Sequence, residues 1–170
     1  MKKILLIIAG LFCITLTFGQ NNFEWEKVDS VAKSKDEIYS ITKMYIGEMW
    51  KSAKDVIQND DKEGGIIMVK GLNIQSKMST TWEFAYTVKF MFKEKKYRIV
   101  IDNVNCESAR AGAYNWPLLA VGETYPGYGK TSVSEKKYFD IMTTLKEELQ
   151  SIVDGYAKYL NNSKLKSSDW

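Results

Sequence analysis

The clearest potential for chemistry lies in one irregular stretch that carries Tyr114, Trp116, Tyr125, Tyr128 and Lys130. These residues fall within positions 107–131, roughly 25 residues without a clear period, where a connection usually runs ~4–6. Aromatic rings exposed on such a loop stack on sugars, peptides or a partner protein. A structural alternative stands beside that reading. Trp116, Leu118, Leu119 and Val121 have the character of a core plug at the open end of a sheet, while Tyr-Pro-Gly-Tyr (residues 125–128) has the character of an exposed turn.

Thr124-Tyr-Pro-Gly-Tyr-Gly-Lys-Thr131 has the outline of a phosphate loop before a helix. That motif needs a glycine five residues before the Gly-Lys pair so that the backbone can curl around phosphates. Thr124 stands there, and Pro126 removes one amide from the cradle, so a turn into a capped helix is the reading adopted. A smaller possibility survives: amides at the helix start could hold a small anion near Lys130.

Other chemistries are excluded or unsupported. The chain has no histidine, which removes Ser-His-Asp and Cys-His catalysis and histidine metal sites. Asp60, Asp61 and Glu63 cluster in a short run that lacks the alternating ligands and terminal glutamate of a calcium loop, and they read as turn residues. Carboxylates for glycoside cleavage must converge in a cleft, and no spacing indicates it. No cofactor and no metal are expected.

Lys2 and Lys3, the apolar run from Ile4 to Ile14, and the small residues Thr17 and Gly19 have the layout of a secretory signal peptide over residues 1–19. Cys13 follows Phe12 in mid-run, not the position of a lipidated cysteine. With net charge +3 from 24 basic and 21 acidic residues, removing Lys2 and Lys3 leaves 22 against 21, or about +1. Nucleic acid is therefore not an expected partner, and no stable membrane span is expected after cleavage. Cys106 becomes the lone cysteine, expected to be buried as a small hydrophobe at the end of an alternating strand.

The elements that must position these residues follow from periodicity. Residues 22–30 read as a strand. Ser34 and Glu37 have capping-box spacing, and Ile38, Ile41, Tyr45 and Met49 recur behind them on one helical face, predicting a helix over about 35–52. Residues 54–58 and 66–74 read as a hairpin around Asn59–Gly65. Trp82, Phe84, Tyr86, Val88, Phe90 and Phe92 alternate with polar residues, and Tyr97, Ile99 and Ile101 continue the pattern after a Glu94-Lys95-Lys96 turn. Ser132 and Glu135 have a second capping-box spacing, before a helix over about 133–160. Residues 20–160 thus form one α+β domain: a single, mostly antiparallel sheet of about five strands with two helices on one face, ordered β-α-β-β-β-β-α. Residues 161–170 read as a flexible tail, and the sheet face away from the helices as polar.

Ser34-Lys-Asp-Glu-Ile-Tyr39, Trp50-Lys-Ser-Ala-Lys-Asp-Val-Ile57, Asp60-Asp-Lys-Glu-Gly-Gly-Ile-Ile67 and Val88-Lys-Phe-Met-Phe-Lys-Glu-Lys-Lys-Tyr-Arg-Ile99 resemble a secreted bacterial domain of unknown function with a TBP-like (TATA-box-binding-protein-like) fold. The resemblance implies that element order and a Gram-negative envelope setting, periplasmic or extracellular. It implies no activity, and a fold name alone does not imply DNA binding. The expected function is a non-catalytic exported domain that binds an envelope protein or small ligand through the polar sheet face or the 107–131 loop. The alternative is a hydrolase of envelope polymers using Asp/Glu carboxylates.

Overall fold

The computed structural model describes residues 23–77, 79–127 and 129–163. The signal peptide expected over 1–19, Tyr128, and residues 164–170 of the expected tail lie outside the described residues.

The elements are β1 (Trp25–Ser30), α1 (Lys35–Met49), α2 (Ala53–Val56), β2 (Ile57–Asp61), β3 (Ile66–Lys77), β4 (Thr80–Lys93), β5 (Lys96–Ala111), β6 (Tyr114–Asn115) and α3 (Glu135–Asn162). The strands form one antiparallel sheet in the order β1-β5-β4-β3-β2, with β6 paired to the far end of β5. The expected α+β architecture is present, with the two-residue β6 as a sixth strand.

Local chemistry explains the helix starts. Ser34 caps α1 in a full capping box, its side chain accepting from the Glu37 amide and Glu37 reaching back to the Ser34 amide at 2.7 Å. The α3 cap is Ser134, which accepts from the Lys137 amide. The expected Ser132/Glu135 box does not form, because Glu135 is already the first helical residue and cannot occupy the third position. The helix also runs through Asn162, two residues beyond its expected end. Residues 54–56, read as the start of a strand, lie instead in the single helical turn of α2, and pairing with β3 begins only at Ile57.

Both long helices cover one face of the sheet, and aromatic rings fill the space between. Phe90 of β4 meets Tyr45 of α1 and Tyr156 of α3 at 6.2 and 4.8 Å between ring centres, and Tyr97 of β5 meets Tyr156 at 5.4 Å. Two hydroxyls in this apolar layer are satisfied locally: Tyr45 donates to the Ile152 carbonyl at 2.9 Å, while Tyr156 pairs with Thr42 Oγ1 at 2.9 Å; the buried Tyr97 hydroxyl has no hydrogen-bond partner among the described residues. Gly155 leaves room for the Tyr45 hydroxyl, which a Cβ there would approach at 3.2 Å.

Two irregularities in β5 change which side chains face inward. The register against β4 slips by one residue between Asn105 and Asp102, where Asn103 sits at φ +54°, and again between Ser108 and Cys106. A one-residue slip moves every later side chain to the opposite face. The inward series therefore runs Tyr97, Ile99, Ile101, then Cys106, then Ala109, all buried.

Candidate functional site

The expected loop site separates into parts. The strand does not end at Glu107. β5 continues to Ala111, and the chain turns through Gly112 at φ +60° to form β6. Tyr114 stands 78% exposed and Trp116 40% exposed, with the Trp116 amide donating to the Ala109 carbonyl at 2.7 Å. Leu119 is buried in the core, and the Tyr138 hydroxyl lies 3.0 Å from the carbonyls of Ala120 and Gly122. Tyr125 is turned inward: its hydroxyl donates to the Val133 carbonyl at 3.0 Å and its ring meets Tyr138. Lys130 is exposed, its amide donating to the Gly127 carbonyl at 3.2 Å. The stretch is thus a core plug at Leu119 and a surface at Tyr114, Trp116 and Lys130, and of the four described site residues Tyr125 turns inward, away from the other three. Tyr128 lies outside the described residues.

Cys106 is buried, and its thiol donates to the Ser108 carbonyl at 3.4 Å. Burial pushes the thiol pKa up, opposed more weakly by hydrogen bonds with the backbone of Leu119 and Ser108. A thiol that is both hidden and protonated is a poor nucleophile. Cys106 of the folded chain is expected to resist iodoacetamide at neutral pH and react only on unfolding, as peptide mass mapping with and without denaturant can check. Full alkylation of Cys106 in the native chain within minutes would contradict the burial.

The face of the sheet away from the helices is less polar than strand alternation predicts. No described element covers it. Val28 is 46%, Leu72 48% and Ile74 59% exposed, and Ile66, Met68 and Met91 are half-buried on the same side. Its charges are largely matched across strands: Lys70 with Glu107 at 2.9 Å, Arg98 with Glu26 at 2.9 Å, and Lys89 with Asp102.

The two ends of this face differ. At one end Ile74 stands opposite Glu83 of β4, and one step further Ser76, Thr81, Arg110 and Asn115 align, which brings the exposed Tyr114 and Trp116 to the same end. At the other end the register aligns Val28, Arg98, Met91 and Ile66 across four strands, and beyond them Ser30, Lys96 and Lys93. Here the sheet surface and the Gly64–Gly65 turn enclose a cleft of about 650 Å³ lined by Val28, Ile66, Met91, Lys93, Lys96 and Arg98 among others. Gly65 is required at its wall. It sits at φ +73°, and a Cβ there would overlap the Phe92 carbonyl oxygen.

Sequence reading missed this end because Glu94-Lys95-Lys96 registers only as a turn, which leaves Lys96 off the strand face that Lys93 shares. The available signal was the like charges flanking Glu94-Lys95, which a two-residue turn places opposite one another. Among the described residues no group of three or more Asp, Glu or Cys side chains is placed to hold a metal ion, and no helix is long and apolar enough to cross a membrane.

With this geometry established, the relatives can be placed. A TBP-like protein from Parabacteroides distasonis ATCC 8503 superposes with a TM-score of 0.68 at 10% identity, over 86% of this chain and 97% of that one. A DUF4468 family protein from Bacteroides ovatus ATCC 8483 superposes with a TM-score of 0.62 at 13% identity, over 88% and 92%. At such identities the likeness concerns the fold. No curated protein sequence matches the chain. Residues 25–107 match the family described as a domain of unknown function (DUF4468) with TBP-like fold. These residues span β1 to most of β5, the same strands that build the uncovered face, and over them the chain matches that family.

Proposed function

We propose that this chain is an exported, non-catalytic binding domain that takes an envelope protein or small ligand on the uncovered face of its sheet. One observation carries the reading: Leu72 and Ile74 stand about half exposed next to each other on one side of β3, on a face over which no described element packs, with Val28 half exposed at its other end. Apolar side chains exposed together on a regular element mark an interaction surface, whereas scattered single ones need no explanation. Tyr114 and Trp116 add exposed aromatic area at the Ile74 end.

Recognition fits this face better than hydrolysis does. Glu26, Asp102 and Glu107 are each held by a cation, so these carboxylates are engaged, and Glu26 is the one acid among the residues lining the cleft. Export rests on the leader-like residues 1–19.

A photo-crosslinking residue at Ile74 tests the surface, with one at the exposed Lys136 on the helix side as control. The expected result, in cells producing the full chain, is an adduct from position 74 that is absent at 136. Equal labelling at both positions, or none at 74 together with no ligand retained on purification, would overturn the reading.

A further inference from the structure

We propose that the cleft at the turn end of the uncovered face binds a single-chain amphiphilic anion, with its carboxylate or phosphate head between Lys93 and Lys96 and its apolar chain along Val28, Met91 and Ile66. The inference deepens the reading of this face as a recognition surface and rests on it.

Lys93 and Lys96 stand directly opposite each other across the β4–β5 hairpin, on the same face. Like charges in that arrangement destabilise a strand pair. Neither has an ion pair among the described residues, while Lys70, Lys89 and Arg98 on the same face each have one. The neighbouring acid of the turn is drawn elsewhere: Glu94 lies on the helix side, where its carboxylate accepts from the Lys35 amide at 3.1 Å in the first turn of α1. A negative charge is favoured at a helix N-terminus, so the fold sorts the turn. Its acid goes to the helix, and two cations remain on the open face without an acid between them.

The step of the sheet next to this pair carries Val28, Met91 and Ile66, and Met68 continues the apolar surface on β3. Arg98 stands in the same step, but Glu26 neutralises it through contacts of 2.9 and 3.0 Å. The cleft therefore offers a net positive end, an apolar floor and a volume of about 650 Å³, within the ~300–1,000 Å³ of small-molecule sites. A purely ionic ligand would leave the floor unused, and a purely apolar one would leave the lysine pair repelling.

Isothermal titration of the purified chain with decyl phosphate, decanoate, inorganic phosphate and octyl glucoside tests this, with amide shifts from NMR locating the site. Both decyl anions are expected to bind one per chain and to shift Val28, Ile66, Met91 and Arg98. Inorganic phosphate and the neutral glucoside should bind at least about tenfold more weakly, and Lys93→Gln with Lys96→Gln should weaken the anions by about tenfold. That double variant should melt no lower than the parent, because it removes a repulsion.

Unchanged binding by the double variant, equal binding of octyl glucoside, or shifts confined elsewhere would overturn the proposal. So would anionic phospholipid vesicles retaining the chain while the free amphiphiles do not bind, which would assign the lysines to a membrane surface. Absent amphiphile binding with a crosslink at position 74 would sink this inference and leave the broader reading standing. Absence of both would remove both.

Discussion

Replacing Phe90 with alanine is expected to destabilise the chain by about 3–5 kcal/mol, the usual cost of emptying a fully buried aromatic site. Phe90 is fully buried, and its ring lies edge-on to Tyr45 and Tyr156, the residues through which α1 and α3 sit on the sheet. Its removal therefore leaves a cavity where three elements meet, and the helices cannot close it without breaking the Tyr45 bond to Ile152. Against a typical total of ~5–15 kcal/mol, such a loss approaches global unfolding. Urea denaturation followed by far-UV circular dichroism checks it: the midpoint should fall with little change in slope. Tyr156→Phe serves as the contrast, since it keeps the ring and removes only the hydroxyl bonded to Thr42, at about 1 kcal/mol. Equal losses from the two variants would place the stability in the hydrogen bond and contradict the packing argument.

Gly71→Ala is expected to cost about 1–3 kcal/mol through overpacking, although alanine is ordinarily a better strand residue than glycine. Gly71 stands opposite Tyr86, and a Cβ on it would overlap the Tyr86 ring and hydroxyl. The ring covers the glycine, filling the space that a side chain would take. The origin of the loss is testable with a double-mutant cycle: Tyr86→Ala should be costly alone, and combined with Gly71→Ala it should cost less than the sum. Strict additivity in thermal melts would show that the ring is not what excludes the Cβ.

Much of the fold is legible in the residues because local signals agree. Ser34 and Glu37 make the capping box that their spacing predicts, and the even-numbered residues from Trp82 to Phe92 face the core. Legibility fails where local preference is overridden. Ala53–Val56 has no long-range partner strand beside it and forms one helical turn instead. Ser132 and Ser134 both precede the helix start, and it is the Ser134 side chain that comes to lie over the first-turn amide of Lys137. The candidate loop divides in the same way: Leu119 and Tyr125 turn inward and Tyr114 stays out, a division set by what lies beneath each residue.

The uncovered face shows the limit most clearly. Alternation places Lys89, Thr87 and Glu83 outward but says nothing of which strands lie beside them. Once β3 and β1 flank β4 and β5, Leu72, Ile74, Val28, Met68 and Ile66 join the same surface, and a face read as polar becomes mixed.

What the residues determine alone is the α+β element order, the aromatic inner face, the family resemblance and, through the absence of histidine, a set of excluded chemistries. These depend on type and spacing within one segment. Tertiary structure decided the rest. One register slip in β5 brings Cys106 inward and a second does the same for Ala109, and the docking of Glu94 on α1 leaves Lys93 and Lys96 facing an apolar floor. Those outcomes depend on which segments become neighbours, because burial and charge pairing are properties of contacts between distant parts of the chain.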